Sequence, residues 1–203
     1  MKSKSERYRI RLSRLAAAVV LFFICTTRSS WEINNYENIT TILFFIGVIL
    51  LGVAALGRLW CSLYIAGYKT HHLIMEGPYS ACRNPLYFFS AIGLMGVGFA
   101  TETFSFPIAF IIIFSLYYPF VIRSEENRLQ QVHGDSFYEY KKKVPSFIPR
   151  FKAFSEPENY SVKPVLFRKH VFDAVWFIWI IGIIEILEEL KDIGFLPSLW
   201  CIY

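Results

Sequence analysis

Hydrophobic residues occur in long runs separated by short polar segments. The runs cover about residues 12–27, 39–64, 85–100, 104–122 and 171–187. A helix needs roughly 20 mostly apolar residues to cross a bilayer, and these runs approach or reach that length. Together they leave little sequence for a separate soluble domain. The pattern predicts an all-α, polytopic transmembrane bundle of about five membrane helices, forming a single membrane domain over residues 1–203.

The individual runs differ in their polar neighbours. The second stays apolar to Gly57 and is expected to continue as a helix to about Tyr64, where Arg58 and aromatic residues suit a membrane interface. The third and fourth are joined only by residues 101–103, which predicts an antiparallel helical hairpin. The last run contains Asp173 and Glu185, so a partly buried helix remains an alternative to a fifth span.

Polar sequence follows the fourth run. Residues 123–129 predict a helical extension beyond the membrane. Residues 137–143, which end in three lysines, predict a basic amphipathic segment lying on the membrane surface.

Composition and charge agree with this topology. The hydrophobic content is 55%, above the roughly 45–50% of soluble domains. The net charge of +5 does not indicate nucleic-acid binding, because the basic residues lie at the ends of the apolar runs. Most of them lie at the N-terminus, in residues 68–83 and in residues 123–169, which predicts that these segments are cytoplasmic. The four cysteines show no CxxC spacing and support neither a disulfide framework nor a zinc site.

The segment before the third run carries the first candidate chemistry. Pro85 fits the first turn of a helix and Asn84 its N-cap. The free N–H groups of that helix end could accept a ligand carboxylate. Tyr79 and Tyr87 could enclose an adenine or a sulfonium, although interface anchoring is an alternative for the tyrosines and Arg83.

Glu125 and Glu126 form the second candidate feature. Adjacent helical residues point about 100° apart, so we expect one carboxylate to face a pocket and the other to stay solvated. The pocket carboxylate would hold an amino group or ribose hydroxyls, or balance a cationic cofactor. Salt bridges to Arg123, Arg128 or the 141–143 lysines are the structural alternative.

Other familiar sites are not indicated. His71 and His72 are adjacent and lack the spacing of metal ligands, so no metal is predicted. No P-loop, GxGxxG or Ser-His-Asp order is present. Gly93, Gly96 and Gly98 lie in an apolar run and are expected to serve helix packing.

These pieces occur in a recognisable order. From about His71 to Arg150 the chain shows G-P-Y-S-A-C-R-N-P-L-Y, an apolar hairpin, E-E-N-R-L, a glycine, spaced aromatics, a basic run and V-P. This order resembles the integral-membrane methyltransferases that include isoprenylcysteine carboxyl methyltransferase and the small phospholipid methyltransferases. The resemblance implies a methyltransferase-like core over residues 71–150 and a C-terminal helical extension over residues 165–203.

The resemblance also implies S-adenosylmethionine as cofactor, bound in a cytoplasmic pocket between helix ends. The implied cofactor-binding residues are His71, His72, Leu73, Ile74, Tyr79, Asn84, Pro85, Leu86, Tyr87 and Glu125. The candidates for catalytic roles are Arg83, Arg123 and Glu126. If the acceptor is an amine, His71, His72 or Glu126 could assist its deprotonation.

Three positions depart from the family's pattern. Asn84 replaces a histidine, and Phe89 stands where many members have glycine. Val121 occupies the position of an arginine that grips the substrate carboxylate in carboxyl-methylating members, and the nearest arginine is Arg123. The acceptor therefore stays open between an isoprenylcysteine-type carboxylate and a phospholipid amine, in either case a lipophilic or prenylated substrate that enters from the bilayer.

Two other classes of protein remain as alternatives. A membrane reductase with a related helical core would bind NADPH, but we see no additional basic cluster for its 2′-phosphate. A non-enzymatic membrane protein would use the polar loops for topology and assembly.

Overall fold

The structure, a computed structural model, describes residues 18–68 and 72–203. The first predicted span, residues 12–27, lies partly outside the described residues, and so does His71. The protein is an all-α bundle, as predicted from its hydrophobic pattern. Its elements in chain order are α1 (residues 18–26 of the described part), β1 (Thr27–Ser29), α2 (Ser30–Ile33), α3 (Glu37–Ile65), α4 (Pro78–Ala81), α5 (Pro85–Ala100), α6 (Ser105–His133), α7 (Asp135–Lys143), a short 3-10 helix (Phe151–Ala153), α8 (Pro164–Asp192) and β2 (Trp200–Ile202).

Three of the described helices are long and apolar enough to cross a membrane. Helices α3, α6 and α8 each contain 29 residues, which corresponds to about 43 Å against a hydrocarbon core of about 30 Å. Helix α5 is apolar but contains only 16 residues, or about 24 Å. The protein is therefore a multi-pass membrane protein. The predicted helical extension of the fourth run is confirmed, because α6 continues to His133.

Glycines allow α3 and α5 to approach closely. A Cβ atom on Gly47 would lie 2.5 Å from the backbone nitrogen of Ala100, and one on Gly96 would lie 2.9 Å from that of Leu51. A Cβ on Gly98 would lie 2.5 Å from the nitrogen of Pro107 at the hairpin between α5 and α6. These distances are too short for any side chain, so the predicted packing role of the α5 glycines is confirmed.

The two short strands pair at the end of the bundle away from the start of α5. They are parallel, with Thr27 opposite Trp200 and Ser29 opposite Ile202. Lys191 Nζ donates to the Thr27 carbonyl at 2.9 Å, and Ser29 Oγ donates to the carbonyl of Glu102, between α5 and α6, at 2.8 Å. The segment that follows α8 is thus tied to the end of α1 and, through it, to the hairpin.

Helix α7 differs from its predicted position. Its aromatic side chains Phe137 and Tyr140 are buried against Leu73 and Leu129 and so cannot face a membrane, whereas Tyr138 is exposed. Its three lysines are exposed. The amphipathic pattern was read correctly, but the surface that covers the apolar face is the protein itself.

Candidate functional site

A cavity of about 320 Å³ lies where α5 begins, between α3, α6, α7 and α8. Most of the residues predicted to bind a cofactor line it. They are His72, Leu73, Ile74, Tyr79, Asn84, Pro85, Leu86, Tyr87 and Glu125. Arg83 and Glu126 line it as well. The two halves of the motif, about forty residues apart in the chain, therefore form one site.

Helix α5 begins at the predicted residue, but the Asn84 side chain does not have the predicted capping role. Pro85 is the first residue, and the Asn84 carbonyl accepts from the backbone N–H groups of Tyr87 at 3.1 Å and Phe88 at 3.2 Å. The Asn84 side chain makes no capping bond. Its Nδ2 donates instead to the Ser146 carbonyl at 3.0 Å and to Glu126 Oε1 at 3.2 Å. The side-chain amide therefore contacts Glu126 and Ser146 rather than the free N–H groups of the helix end.

A proline-rich strap, residues 145–155, runs alongside residues 77–84 and satisfies their backbone groups. Its bonds are Arg83 N to Pro145 O at 2.9 Å, Asn84 N to Ser146 O at 3.2 Å, Arg150 N to Ala81 O at 2.8 Å and Gly77 N to Ser155 O at 2.8 Å. Gly77 has φ +57°, and a Cβ there would lie 2.4 Å from the Tyr64 ring. Glycine is therefore required for the turn that leads into the site.

Arg83 and Glu126 form a buried ion pair in the wall of the cavity. Arg83 Nε donates to Glu126 Oε1 at 2.9 Å, and the two side chains are 8% and 10% exposed. Arg83 also donates to the carbonyls of Lys141 and Val144 at the end of α7. Glu126 Oε1 accepts from Ser146 Oγ at 3.2 Å, and Lys141 Nζ lies 3.7 Å from Oε2. This pair joins the start of α5 to α6, α7 and the strap.

Glu125 also lines the cavity, and its side chain is 25% exposed. The Tyr87 hydroxyl donates to its Oε2 at 2.7 Å, and Arg128 lies 3.6 Å from Oε1. We expected only one glutamate of the pair to face a pocket and the other to be solvated. That expectation is wrong, because both line the cavity: α7 and the strap cover the side of α6 that would otherwise face water, and bury Glu126 there.

Tyr79 presents an unsatisfied donor. Its side chain is buried, and its hydroxyl has no hydrogen-bond partner among the described residues. Burial raises the pKa of Tyr79, so the phenol stays protonated and can donate to a ligand. Burial likewise raises the pKa of the Cys82 thiol to about 11, so the thiol is mostly protonated at neutral pH.

Several lining residues were not predicted. Arg58 and Ser90 come from α3 and α5, and His170 and Asp173 come from α8. Arg58 was expected at an interface, and Asp173 was noted only as an exception in an apolar run. Their one sequence signal is a polar side chain inside a hydrophobic run. That signal does not say which cavity the side chain faces.

A second cavity of about 490 Å³ lies along α6 and contains Arg123. Its wall is apolar at Ile111, Phe114 and Phe147 and polar at Arg123 and Lys141. Tyr118 and Glu126 line both cavities. Arg123, which we expected among catalytic residues, is therefore not a lining residue of the first cavity.

The model of the phospholipid methyltransferase family matches residues 39–136, which include the start of α5 and both glutamates. The chain belongs to this family of membrane methyltransferases. It is 29% identical to protein-S-isoprenylcysteine O-methyltransferase B of Arabidopsis thaliana, over 72% of this chain and 75% of that protein. No solved structure matched the chain significantly.

Two bacterial relatives match nearly the whole chain. The nickel-cobalt-cadmium resistance protein NccN of Alcaligenes xylosoxydans xylosoxydans is 34% identical, over 95% of this chain and 88% of the relative. The cobalt-zinc-cadmium resistance protein CzcN of Cupriavidus metallidurans is 33% identical over the same shares. Among the described residues of this chain, no three His, Cys, Asp or Glu side chains are grouped to hold a metal ion.

One departure from the family's usual pattern has a local explanation. Phe89, on α5, packs against Gly57 of α3, where a Cβ would lie 2.1 Å from the Phe89 ring. The absence of a side chain on α3 makes room for the larger residue on α5.

Proposed function

We propose that this protein is an S-adenosylmethionine-dependent methyltransferase that methylates a lipid-like acceptor within the membrane. The observation that carries the proposal is the hydrogen bond from Tyr87 to Glu125 at the wall of the first cavity. This bond joins the segment at the start of α5 to the glutamate pair on α6, and the family model of the phospholipid methyltransferases covers both segments. The cavity's volume is within the range usual for small-molecule sites.

The lining residues fit the cofactor's chemistry. The partly exposed Glu125 carboxylate offers an anionic group to a cation or an amino group. The unpartnered Tyr79 hydroxyl offers a donor, and the tyrosine rings offer apolar and cation–π surface. When bound, S-adenosylmethionine supplies an electrophilic methyl group whose bond to sulfur breaks as the bond to the acceptor forms.

Our preferred acceptor is an isoprenylcysteine-type carboxylate, and a phospholipid amine is the alternative. Methylation of a carboxylate consumes one negative charge, gives a neutral ester and needs no base. An amine would have to lose a proton, and Glu126 is poorly available for that role because Arg83, Asn84 and Ser146 occupy it. Of the three bases named from the sequence, His72 is the one that remains among the described residues, and it lines the cavity.

The second cavity is suited to an acceptor's apolar part. The exposed side chains of Ile108 and Ile112 lie one helical turn from the lining residues Ile111 and Ser115 on α6, so a lipid chain could reach the cavity from the bilayer. The distribution of Lys and Arg supports a cytoplasmic position for both cavities.

Cofactor binding is the first test. Calorimetry on the purified protein in nanodiscs should show micromolar binding of S-adenosylmethionine and none of NADPH. Glu125→Gln removes the charge but keeps the shape, and should weaken binding at least about tenfold. Glu139→Gln alters an exposed glutamate on α7 and is the matched control. A folded protein that binds no S-adenosylmethionine overturns the proposal, and NADPH binding would favour a reductase.

The acceptor is tested with labelled S-adenosylmethionine and two substrates, N-acetyl-S-farnesylcysteine and phosphatidylethanolamine. Mild base releases volatile methanol from a methyl ester but not from an N-methyl group. Base-labile label supports the carboxylate acceptor, whereas stable label on the phospholipid supports the amine.

A further inference from the structure

Arg58 is a charged residue inside an apolar helix. It lies seven residues before the last residue of α3, and its partner Ser90 lies five residues after the first residue of α5. At 1.5 Å per residue, both are about 8–10 Å inside the ends of their helices. Both side chains line the first cavity. A cation at such a depth is costly unless an anion or a polar ligand meets it.

The protein itself supplies little to meet that charge. Arg58 Nη1 donates to the neutral Ser90 hydroxyl at 2.6 Å, and Ser90 in turn donates to the Leu86 carbonyl. The guanidinium carbon lies 5.7 Å from the centre of the Phe177 ring on α8. Arg58 Nε is buried and has no hydrogen-bond partner among the described residues. A guanidinium has five N–H donors, so most of them are left for a ligand.

The carboxylates that line the cavity have other partners. Glu126 pairs with Arg83, Glu125 lies beside Arg128, and Asp173 lies 3.5 Å from His170. Within the described part of the chain, Arg58 forms no ion pair with any of them. The cavity therefore contains a deep cation whose charge is not balanced by a paired carboxylate.

We propose that Arg58 binds an anionic oxygen group, a carboxylate or a phosphate, on the head of the membrane acceptor. The proposal rests on the proposed function and names a specificity residue for it. The cofactor also has a carboxylate, but the motif residues that would hold the cofactor lie at the helix ends, whereas Arg58 lies deeper on the membrane side. An acceptor anchored in lipid approaches from that side.

Carboxyl-methylating members of the family have an arginine at the α6 position that Val121 occupies in this chain. The assignment of Arg58 supplies the site with an arginine from α3 instead. If the acceptor is a carboxylate, methylation removes the charge that Arg58 binds. Arg58 would then favour the acid over its ester, which promotes release of the product. If the acceptor is a phospholipid, its phosphate is not methylated, so Arg58 would contact the phosphate both before and after methyl transfer.

The test uses charged and neutral members of two ligand pairs. The protein is held in dodecyl maltoside, which lacks phosphate, and calorimetry measures binding of N-acetyl-S-farnesylcysteine and its methyl ester, and of phosphatidylethanolamine and diacylglycerol. The wild type should prefer the charged member of at least one pair. Arg58→Gln should weaken binding of that member at least about tenfold and leave the neutral member within threefold. Arg168→Gln, an exposed arginine on α8, is the matched control.

Binding of S-adenosylmethionine to the same variants reports folding and separates the sources of the anion. Arg58→Gln should keep the wild-type affinity for the cofactor within threefold. If it loses cofactor affinity and keeps the acid preference, the anion is the cofactor's carboxylate and the proposal is wrong. It is also wrong if the wild type shows no charge preference in either pair. Failure of the wild type to bind S-adenosylmethionine would instead overturn the proposed function.

Discussion

Among single residues, Glu126 shows how burial gives two adjacent glutamates different roles. Glu125 and Glu126 have the same chemistry, but Glu126 meets Arg83, Asn84, Ser146 and Lys141, whereas Glu125 is bonded to Tyr87 and lies beside Arg128. The buried glutamate thus holds the site together, and the more exposed one is available to a ligand. Their order in the sequence carries no hint of this division.

The buried pair leads to a stability prediction. Arg83→Gln or Glu126→Gln alone should lower the free energy of unfolding by about 3–5 kcal/mol, because each leaves an unpaired buried charge. The double variant should lose clearly less than the sum of the two. Unfolding in a denaturing detergent series measures all three.

The exposed pair Lys142 and Glu139 on α7 provides the control. Their side chains are 54% and 56% exposed, so Lys142→Gln and Glu139→Gln should each change stability by under about 1 kcal/mol. Additive losses for Arg83 and Glu126 would contradict the structure's account of them as a pair.

At the level of helices, the contact between α3 and α5 depends on residues without side chains. Gly47 and Gly96 let the two backbones meet, and Gly57 accommodates Phe89 nearer the site. The predicted role for the α5 glycines was right because small residues in an apolar helix have few other uses. The identity of their neighbours was not predictable, since it depends on the rotation of each helix about its axis.

A pair of alanine substitutions tests this contact. Gly47→Ala would place a Cβ 2.5 Å from the Ala100 backbone, whereas a Cβ on Gly52 meets nothing within 4 Å. Gly47→Ala should therefore lower stability by about 1–3 kcal/mol or more. Gly52→Ala should be neutral or stabilise α3 by up to about 1 kcal/mol. Thermal unfolding in one detergent compares them, and equal effects would argue against the close approach.

In the whole molecule, the two ends of the bundle have different roles. The cavity lies at the start of α5, and the parallel pair of strands lies near its other end, about 24 Å away along the helix. At the end of the bundle that carries the strands, segments from near the first and the last described residues meet. Arg28 pairs there with Glu32 and Asp192, and the Leu199 N–H donates to the Thr26 carbonyl at 2.8 Å.

Removal of residues 199–203 should destabilise the protein without altering the site. Each lost hydrogen bond costs about 1 kcal/mol, and 1 kcal/mol corresponds to about 2–4 °C in Tm for a protein of this size, so Tm should fall by at least about 5 °C. Affinity for S-adenosylmethionine, measured well below the lower Tm, should stay within threefold. A large loss of affinity in the folded variant would show that the two ends are coupled.

The sequence by itself determined the described helices that form the bundle and the hairpin of α5 and α6, and its family resemblance indicated about half of the residues that line the first cavity. Hydrophobic run length and the local chemistry of Pro85 are properties of short segments, so they can be read without knowing the fold. Only the tertiary structure decided that Arg58 and α8 reach the cavity, that α7 packs on the protein, that Glu126 is buried, and that the C-terminal strand pairs with Thr27–Ser29. Each of these depends on contacts between distant segments, which follow from helix rotation and packing rather than from local pattern.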